Sequence, residues 1–180
     1  MRFFYSFLAV LLMSSAALAA DPDPSWAFHM DETLIGQRHG SFSSTRPDGP
    51  NSMNSAAERS YSSVTGVNLG YDLGQGTEAW MRVETIRGIP LSNAGGLAAL
   101  TNNDMQRIME NRFTSYIALG YVTHTWNLGG NAQAIEADSH QFARESTERR
   151  ISLTLGKLDA LDIFDNNAYA HKSDDQFLNW

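Results

Sequence analysis

Apolar and polar residues alternate with a period of two through most of this chain, the pattern of strands with one face of each character. Trp26 to Gln37 places Trp26, Phe28 and Met30 on one face and Ala27, His29 and Asp31 on the other. Residues 39 to 60 are rich in Ser, Asn, Pro and Gly and read as a loop. Tyr61 to Leu73 then sets Thr65, Val67, Leu69, Tyr71 and Leu73 against Val64, Gly66, Asn68, Gly70 and Asp72. Gly74-Gln-Gly76 predicts a tight hairpin turn. The return strand, Thr77 to Arg87, puts Ala79, Met81 and Val83 on one face. Glu78, Trp80, Arg82 and Glu84 occupy the other.

The second half is less regular. Residues 88 to 111 predict a longer connection, broken at Gly95-Gly96. Within it, Asn103 or Asp104 caps a short helix that aligns Met105, Ile108 and Met109. A second hairpin follows: Arg112 to Trp126, with Ile117, Leu119 and Tyr121 on its apolar face, a turn at Leu128-Gly-Gly-Asn131, and a weaker arm from Ala132 to about Phe142. Arg149 to Lys157 is the last strand, with Ile151, Leu153 and Leu155 against Ser152, Thr154 and Gly156. About six strands result, and the fold class is all-β and antiparallel. Such a pattern suits a transmembrane barrel and also a soluble sandwich. Aromatics near strand ends (Trp26, Phe28, Tyr71, Tyr121, Trp126) and charge within the strands favour the barrel.

The N-terminus changes the picture. Arg2, the apolar run Phe3 to Met13 and Ala17-Leu18-Ala19 have the form of a secretory signal cleaved after Ala19. That divides the chain into residues 1–19, a signal, and 20–180, the folding part. An exported chain without cysteine must be held by a core or a continuous sheet. No later apolar run approaches the length of a transmembrane helix, so any membrane crossing is by strands. The net charge of −7, with no basic stripe, argues against nucleic acid as a partner.

Catalytic and metal patterns are weak. Asp159, Asp162 and Asp165 lack the ligand spacing of a calcium loop and suit turn and cap roles, as do Asn166 and Asn167. His29 and His171 have no partner at ligand spacing. There is no Gly-x-Ser-x-Gly elbow, and Gly74-Gln-Gly76 lacks the third glycine of a dinucleotide loop. None of these motifs points to a nucleophile, metal or dinucleotide site.

Several stretches, in order, resemble the carbohydrate-selective outer-membrane porins of the OprB type. They are Trp26-Ala-Phe-His-Met-Asp-Glu-Thr, Gly49-Pro-Asn-Ser-Met53, Leu69-Gly-Tyr-Asp-Leu73, Gly76-Thr-Glu-Ala-Trp80 and Val83-Glu84. Gly88-Ile-Pro-Leu-Ser92 and Gly95-Gly-Leu-Ala98 continue the series. The closest are Arg150-Ile-Ser-Leu-Thr-Leu-Gly-Lys157, Asp162-Ile-Phe-Asp-Asn-Asn-Ala-Tyr-Ala170 and Phe177-Leu-Asn-Trp180. Ser44-Thr-Arg-Pro47 departs from the Ser-Pro-Tyr that such porins carry there. The resemblance implies a transmembrane β-barrel of about 16 strands in the outer membrane of a Gram-negative bacterium, passing sugars by passive diffusion. It implies outer-membrane lipid as a partner, a possible homo-oligomer, no enzyme activity and no cofactor. Such porins continue past Phe177-Leu-Asn-Trp180, so residues 20–180 are expected to be the N-terminal part of the barrel, from a truncated gene product or a partial sequence.

A sugar pore needs hydroxyl-binding groups and flat apolar surfaces on its lumen face. Glu78, Arg82 and Glu84 point the same way, and Trp80 between them offers a stacking surface. Mixed charge leaves a weak net field, which favours neutral polar solutes. Arg112 and Arg150 complete the expected lumen set, with Arg149 excluded from the face that Arg150 occupies. The competing interpretation of this row is a solvated strand face with cross-strand ion pairs. The competing function for the chain is a soluble periplasmic β-protein that binds carbohydrate or a partner without forming a pore.

Overall fold

The computed structural model describes residues 9–12, 25–44, 51–95, 99–100, 103–106, 111–165 and 167. Five long strands form one antiparallel sheet in chain order: β2 (Trp26–His39), β3 (Glu58–Gly74), β4 (Thr77–Ile89), β5 (Thr114–Ile135) and β6 (Arg144–Lys157). A four-residue strand, β1 (Ala9–Leu12), pairs with Thr33–Gly36 on the outer edge of β2. It lies within the segment read as an export signal. Each strand pairs with its sequence neighbour, so the expected antiparallel all-β arrangement is present.

The β3–β4 hairpin matches its pattern closely. Gln75 and Gly76 both take positive φ, 53° and 78°, as a type I′ turn demands. The Asp72 carboxylate accepts the Gly74 N–H at 2.8 Å and fixes the approach to the turn.

The second hairpin differs from expectation. No turn forms at Leu128-Gly-Gly-Asn131; β5 runs through it to Ile135. Gly129 and Gly130, at φ 101° and 100°, instead absorb register shifts against β6. Two glycines in a strand can make a bulge as readily as a turn. Here Glu148 accepts the N–H of Asn131 at 3.4 Å and its side-chain amide at 3.2 Å, tying the bulge to β6. The reversal comes later, at a tight turn closed by Asp138 and Gln141. The expected arm from Ala132 to Phe142 is therefore the end of β5 and the turn itself. The return strand starts at Arg144, not Arg149.

A second bulge corrects a face assignment. Arg82 pairs with Leu119 but Val83 with Ile117, leaving Ala118 as the extra residue. Ile117 is therefore exposed while Leu119 is buried. The expected single apolar face of Ile117, Leu119 and Tyr121 is split.

In the long connection, a 3-10 turn spans Leu91–Ala94 and another spans Asn103–Gln106. Met105 packs beneath the second with Val64 and Ile86, all three essentially inaccessible, and with Leu100 and Tyr116 beside them. Ile108 and Met109 lie outside the described residues. A short helix, α1 (Leu161–Phe164), follows β6. Asp165 accepts the N–H of Asn167 at 2.9 Å and Asp159 that of Leu161 at 2.9 Å, so both serve as turn residues.

The two faces of the sheet differ in character. In β3 and β4 the buried positions are Ser60, Ser62, Asn68, Glu78, Arg82 and Glu84, interleaved with Val64, Trp80 and Ile86. The opposite face exposes Trp26, Phe28, Met30, Leu69, Tyr71, Leu73, Met81, Val122, Trp126, Ile151, Leu153 and Leu155. The register aligns these outward residues into rows: Trp26, Tyr71, Ala79, Val122 and Leu155 lie side by side across all five long strands.

Candidate functional site

Glycine makes the site possible. On β3, Gly66 and Gly70 lie on the buried face opposite Glu84 and Trp80 of β4. A methyl group at Gly66 would strike the Arg82 guanidinium and the Asp31 carboxylate. At Gly70 it would come 2.5 Å from the Trp80 ring. Bare backbone at these positions lets the β4 side chains reach across β3 towards β2.

Arg82 uses that space fully. Its Nη1 and Nη2 donate to the two Asp31 carboxylate oxygens at 2.8 and 2.9 Å, a bidentate pair spanning from β4 to β2. Its Nε donates to Glu84 at 2.8 Å, and Nη1 also reaches the Asn68 side-chain oxygen at 3.3 Å. The other Glu84 oxygen accepts the Tyr116 hydroxyl. One cation thus sits between two carboxylates, with Arg82 only 7 % exposed.

Above this knot lies an aromatic cluster. Trp80, 3 % exposed, stacks on His29 at 6.4 Å and meets Phe142 at 5.0 Å and the edge of His140 at 5.8 Å. His140 and Phe142 come from the turn between β5 and β6, which folds back over the β4 row. The imidazole Nε2 of His140 lies 2.8 Å from the Asn68 oxygen; an amide oxygen can only accept, so this nitrogen carries the proton. The Phe142 N–H donates to Glu78 at 3.1 Å, and Arg144 pairs with the other Glu78 oxygen at 3.1 Å. Trp80 is therefore not the open stacking surface that its position suggested, because its own chain covers it. Its Nε1 and the Nε of Arg144 are buried without a hydrogen-bond partner.

A cavity of about 120 Å³ opens beside the turn, lined by Asp72, Glu78, Thr125, Asn127, Phe142 and Arg144 among others. Hydroxyl pairs continue this polar surface: Thr123 with Thr154 and Thr125 with Ser152, each at 2.9 Å. Carboxylates, hydroxyls, an amide and one cation together offer both donors and acceptors.

Of the expected lumen residues, Glu78, Trp80, Arg82 and Glu84 come together on one face of β4. Arg112 is exposed in the connection before β5 and does not join them. Arg150 is exposed on β6 and donates to Gln133 at 3.3 Å and the Thr147 carbonyl at 3.2 Å. The sequence pattern missed Asn68, Tyr116, His140, Phe142 and Arg144 as site residues. Asn68 was placed on the correct face without a role; the others depend on the β4–β5 bulge and the fold-back turn, which no local pattern specified.

Among the described residues no three His, Cys, Asp or Glu side chains group as a metal site, and no helix is long and apolar enough to cross a membrane. No family model, curated protein or solved structure matches this chain.

Proposed function

We propose that the sheet is part of the wall of an outer-membrane β-barrel that passes carbohydrates by passive diffusion. One observation carries this reading: charged groups are buried on one face while the opposite face exposes a continuous apolar surface. A soluble domain buries the reverse. A pore wall turns apolar residues to lipid and polar ones to the lumen.

Strand length supports it. The five long strands have 14, 17, 13, 22 and 14 residues. About 9–11 residues cross a bilayer as a tilted strand, whereas globular strands average about 5–6. Short turns join the sheet at one end, at Gln75-Gly76 and at Asp138 to Gln141; the longer connections, 40–57 and 90–113, lie at the other. In a barrel these ends face the periplasm and the exterior respectively.

On this reading solute meets the polar face of β4 to β6. Arg82 set between Asp31 and Glu84, and Arg144 set against Glu78, mix both signs along the row, so the excess of one carboxylate leaves only a weak field, which suits an uncharged polyol over an ion. Further strands would complete the wall.

Fractionation of cells expressing the chain tests the proposal. A wall segment sediments with the outer membrane, resists alkaline wash and needs detergent. Release by osmotic shock would instead favour the soluble carbohydrate-binding alternative. If the chain is found in the membrane, liposomes holding the complete barrel of which this sheet is a part should swell in isotonic sugar; insertion of that barrel without sugar flux would refute the solute assignment.

A further inference from the structure

We infer that Arg38 and Arg59, at the loop end of the outward face, form a binding site for the phosphate headgroup of a membrane lipid. The inference rests on the reading of that face as lipid-facing.

The two arginines are direct partners in the β2–β3 register, and both are exposed. Like charges directly opposite one another destabilise a strand pair. Neither side chain has a hydrogen bond, ion pair or ring contact within the described residues. Arg87, on the same face of β4, shows how a satisfied cation looks there. Its Nε donates to Asn111 at 2.8 Å, and its guanidinium lies 4.9 Å from the Phe113 ring centre and 5.9 Å from that of Tyr61. Glu32 shares the outward face, but its two oxygens accept the hydroxyls of Ser63 and Thr65. Glu58, beside Arg59, faces the other way and binds Ser92 and Asn54.

Two adjacent guanidinium groups with all donors free fit a phosphate monoester, whose oxygens accept bidentate hydrogen bonds from both. Position selects the lipid source. Towards the other end of the same strands, this face carries Met30, Val67, Val83 and the row containing Trp26 and Tyr71. The Glu32–Thr65, Leu34–Ser63 and Gly36–Tyr61 rows separate that surface from the pair, so a lipid with its headgroup at the Arg38–Arg59 level runs its acyl chain past exposed Leu34 towards Met30 and Val67. Gly36, facing Tyr61 one outward row nearer the apolar surface, leaves open space beside the pair, with nothing within 4 Å of where a side chain would begin. A net charge of −7 on the whole chain would otherwise repel an anion.

The whole chain, refolded from urea, is titrated against phosphatidylcholine vesicles with and without phosphatidate. The wild type should prefer phosphatidate, and Arg38→Gln with Arg59→Gln should weaken that binding by about tenfold to thirtyfold, the loss that two basic residues at a membrane surface represent. Arg149→Gln, an exposed cation on β6, should keep the preference. Equal binding by wild type and double variant, or an equal loss with Arg149→Gln, overturns the site. Binding to phosphatidylcholine with no preference for phosphatidate overturns the site but leaves the membrane reading intact; failure to bind either vesicle overturns both. If inorganic phosphate alone saturates the pair and abolishes the preference, the lipid assignment fails. A second measurement guards against misfolding. Relief of like-charge repulsion should raise the urea midpoint of the double variant in plain phosphatidylcholine and lower it, relative to wild type, with phosphatidate present. A midpoint that falls in both lipids also overturns the proposal.

Discussion

Arg82 of β4 grips Asp31 of β2 through two hydrogen bonds across the intervening strand, over the backbone of Gly66. The pair is unequal: the Arg82 side chain is 8 % exposed, Asp31 40 %. Arg82→Ala leaves Glu84 buried without its cation and costs about 3 kcal/mol, in the range for breaking a buried pair. Asp31→Ala costs about 1 kcal/mol, because Arg82 keeps Glu84 and a half-exposed carboxylate contributes less. Urea unfolding in detergent measures both, and equal costs would refute this ordering. In a complete pore, Arg82→Ala should also alter sugar flux; unchanged flux and unchanged block by sugar would remove Arg82 from the lumen.

Gly66→Ala tests the same relationship from the backbone side. The added methyl group occupies the space of the guanidinium, so the Arg82–Asp31 pair must open. Gly70→Ala presses on a ring instead, where overpacking costs about 1–3 kcal/mol. Gly66→Ala combined with Arg82→Ala should be less destabilising than the sum of the single changes, since the clash disappears with the side chain. An additive double-mutant cycle would show that Gly66 does not serve Arg82.

Much of this arrangement was legible in the sequence. Period-two alternation in 61–87 assigned the polar row of β4 to one face, because a strand enforces that period. The faces of Trp26 to Asp31 followed by the same rule, and the register bears them out. The β5–β6 region resisted for a physical reason. Gly129-Gly130 permits either a turn or a bulge, and the choice depends on Glu148 and the β6 partner, far along the chain. Bulges also shift parity by one residue, which separated Ile117 from Leu119. The covering of Trp80 by His140 and Phe142 is a tertiary fact with no local signal.

Phe142→Ala should uncover Trp80. The substitution removes a tilted ring contact at 5.0 Å and loosens the turn that carries His140. Phe142 is only partly buried, so the loss is about 1–2 kcal/mol, below that of a core phenylalanine. Water reaching the unpartnered Nε1 of Trp80 offsets part of it. Acrylamide quenching, taken as the difference between each protein and its Trp80→Phe counterpart, should rise in the variant. Quenching that stays at the wild-type level would mean the turn does not depend on Phe142.

Glu58 ties the loop end together, outside the apolar surface that Val67 to Leu73 contribute on β3. Its carboxylate accepts the Ser92 hydroxyl at 2.6 Å, the Ser92 N–H at 3.0 Å and the Asn54 amide at 2.7 Å. Ser92, Asn93 and Ala94 all take positive φ there, a conformation that is unfavourable for residues with a side chain. The Ser92 hydroxyl, chiefly, holds the Glu58 pKa below its ordinary 4.5; the Asn54, His39 and Ser92 backbone hydrogen bonds add to this, and burial opposes it. A lowered folded-state value means stability that is fully present above the unfolded pKa and lost as pH falls through the folded one. Protection of the Ser92 amide against hydrogen exchange, corrected for the intrinsic rate, should therefore be flat above pH 4.5 and decline below it. Glu58→Gln should abolish that decline and lower protection at neutral pH. A decline that persists in the variant would assign the acid sensitivity to another group.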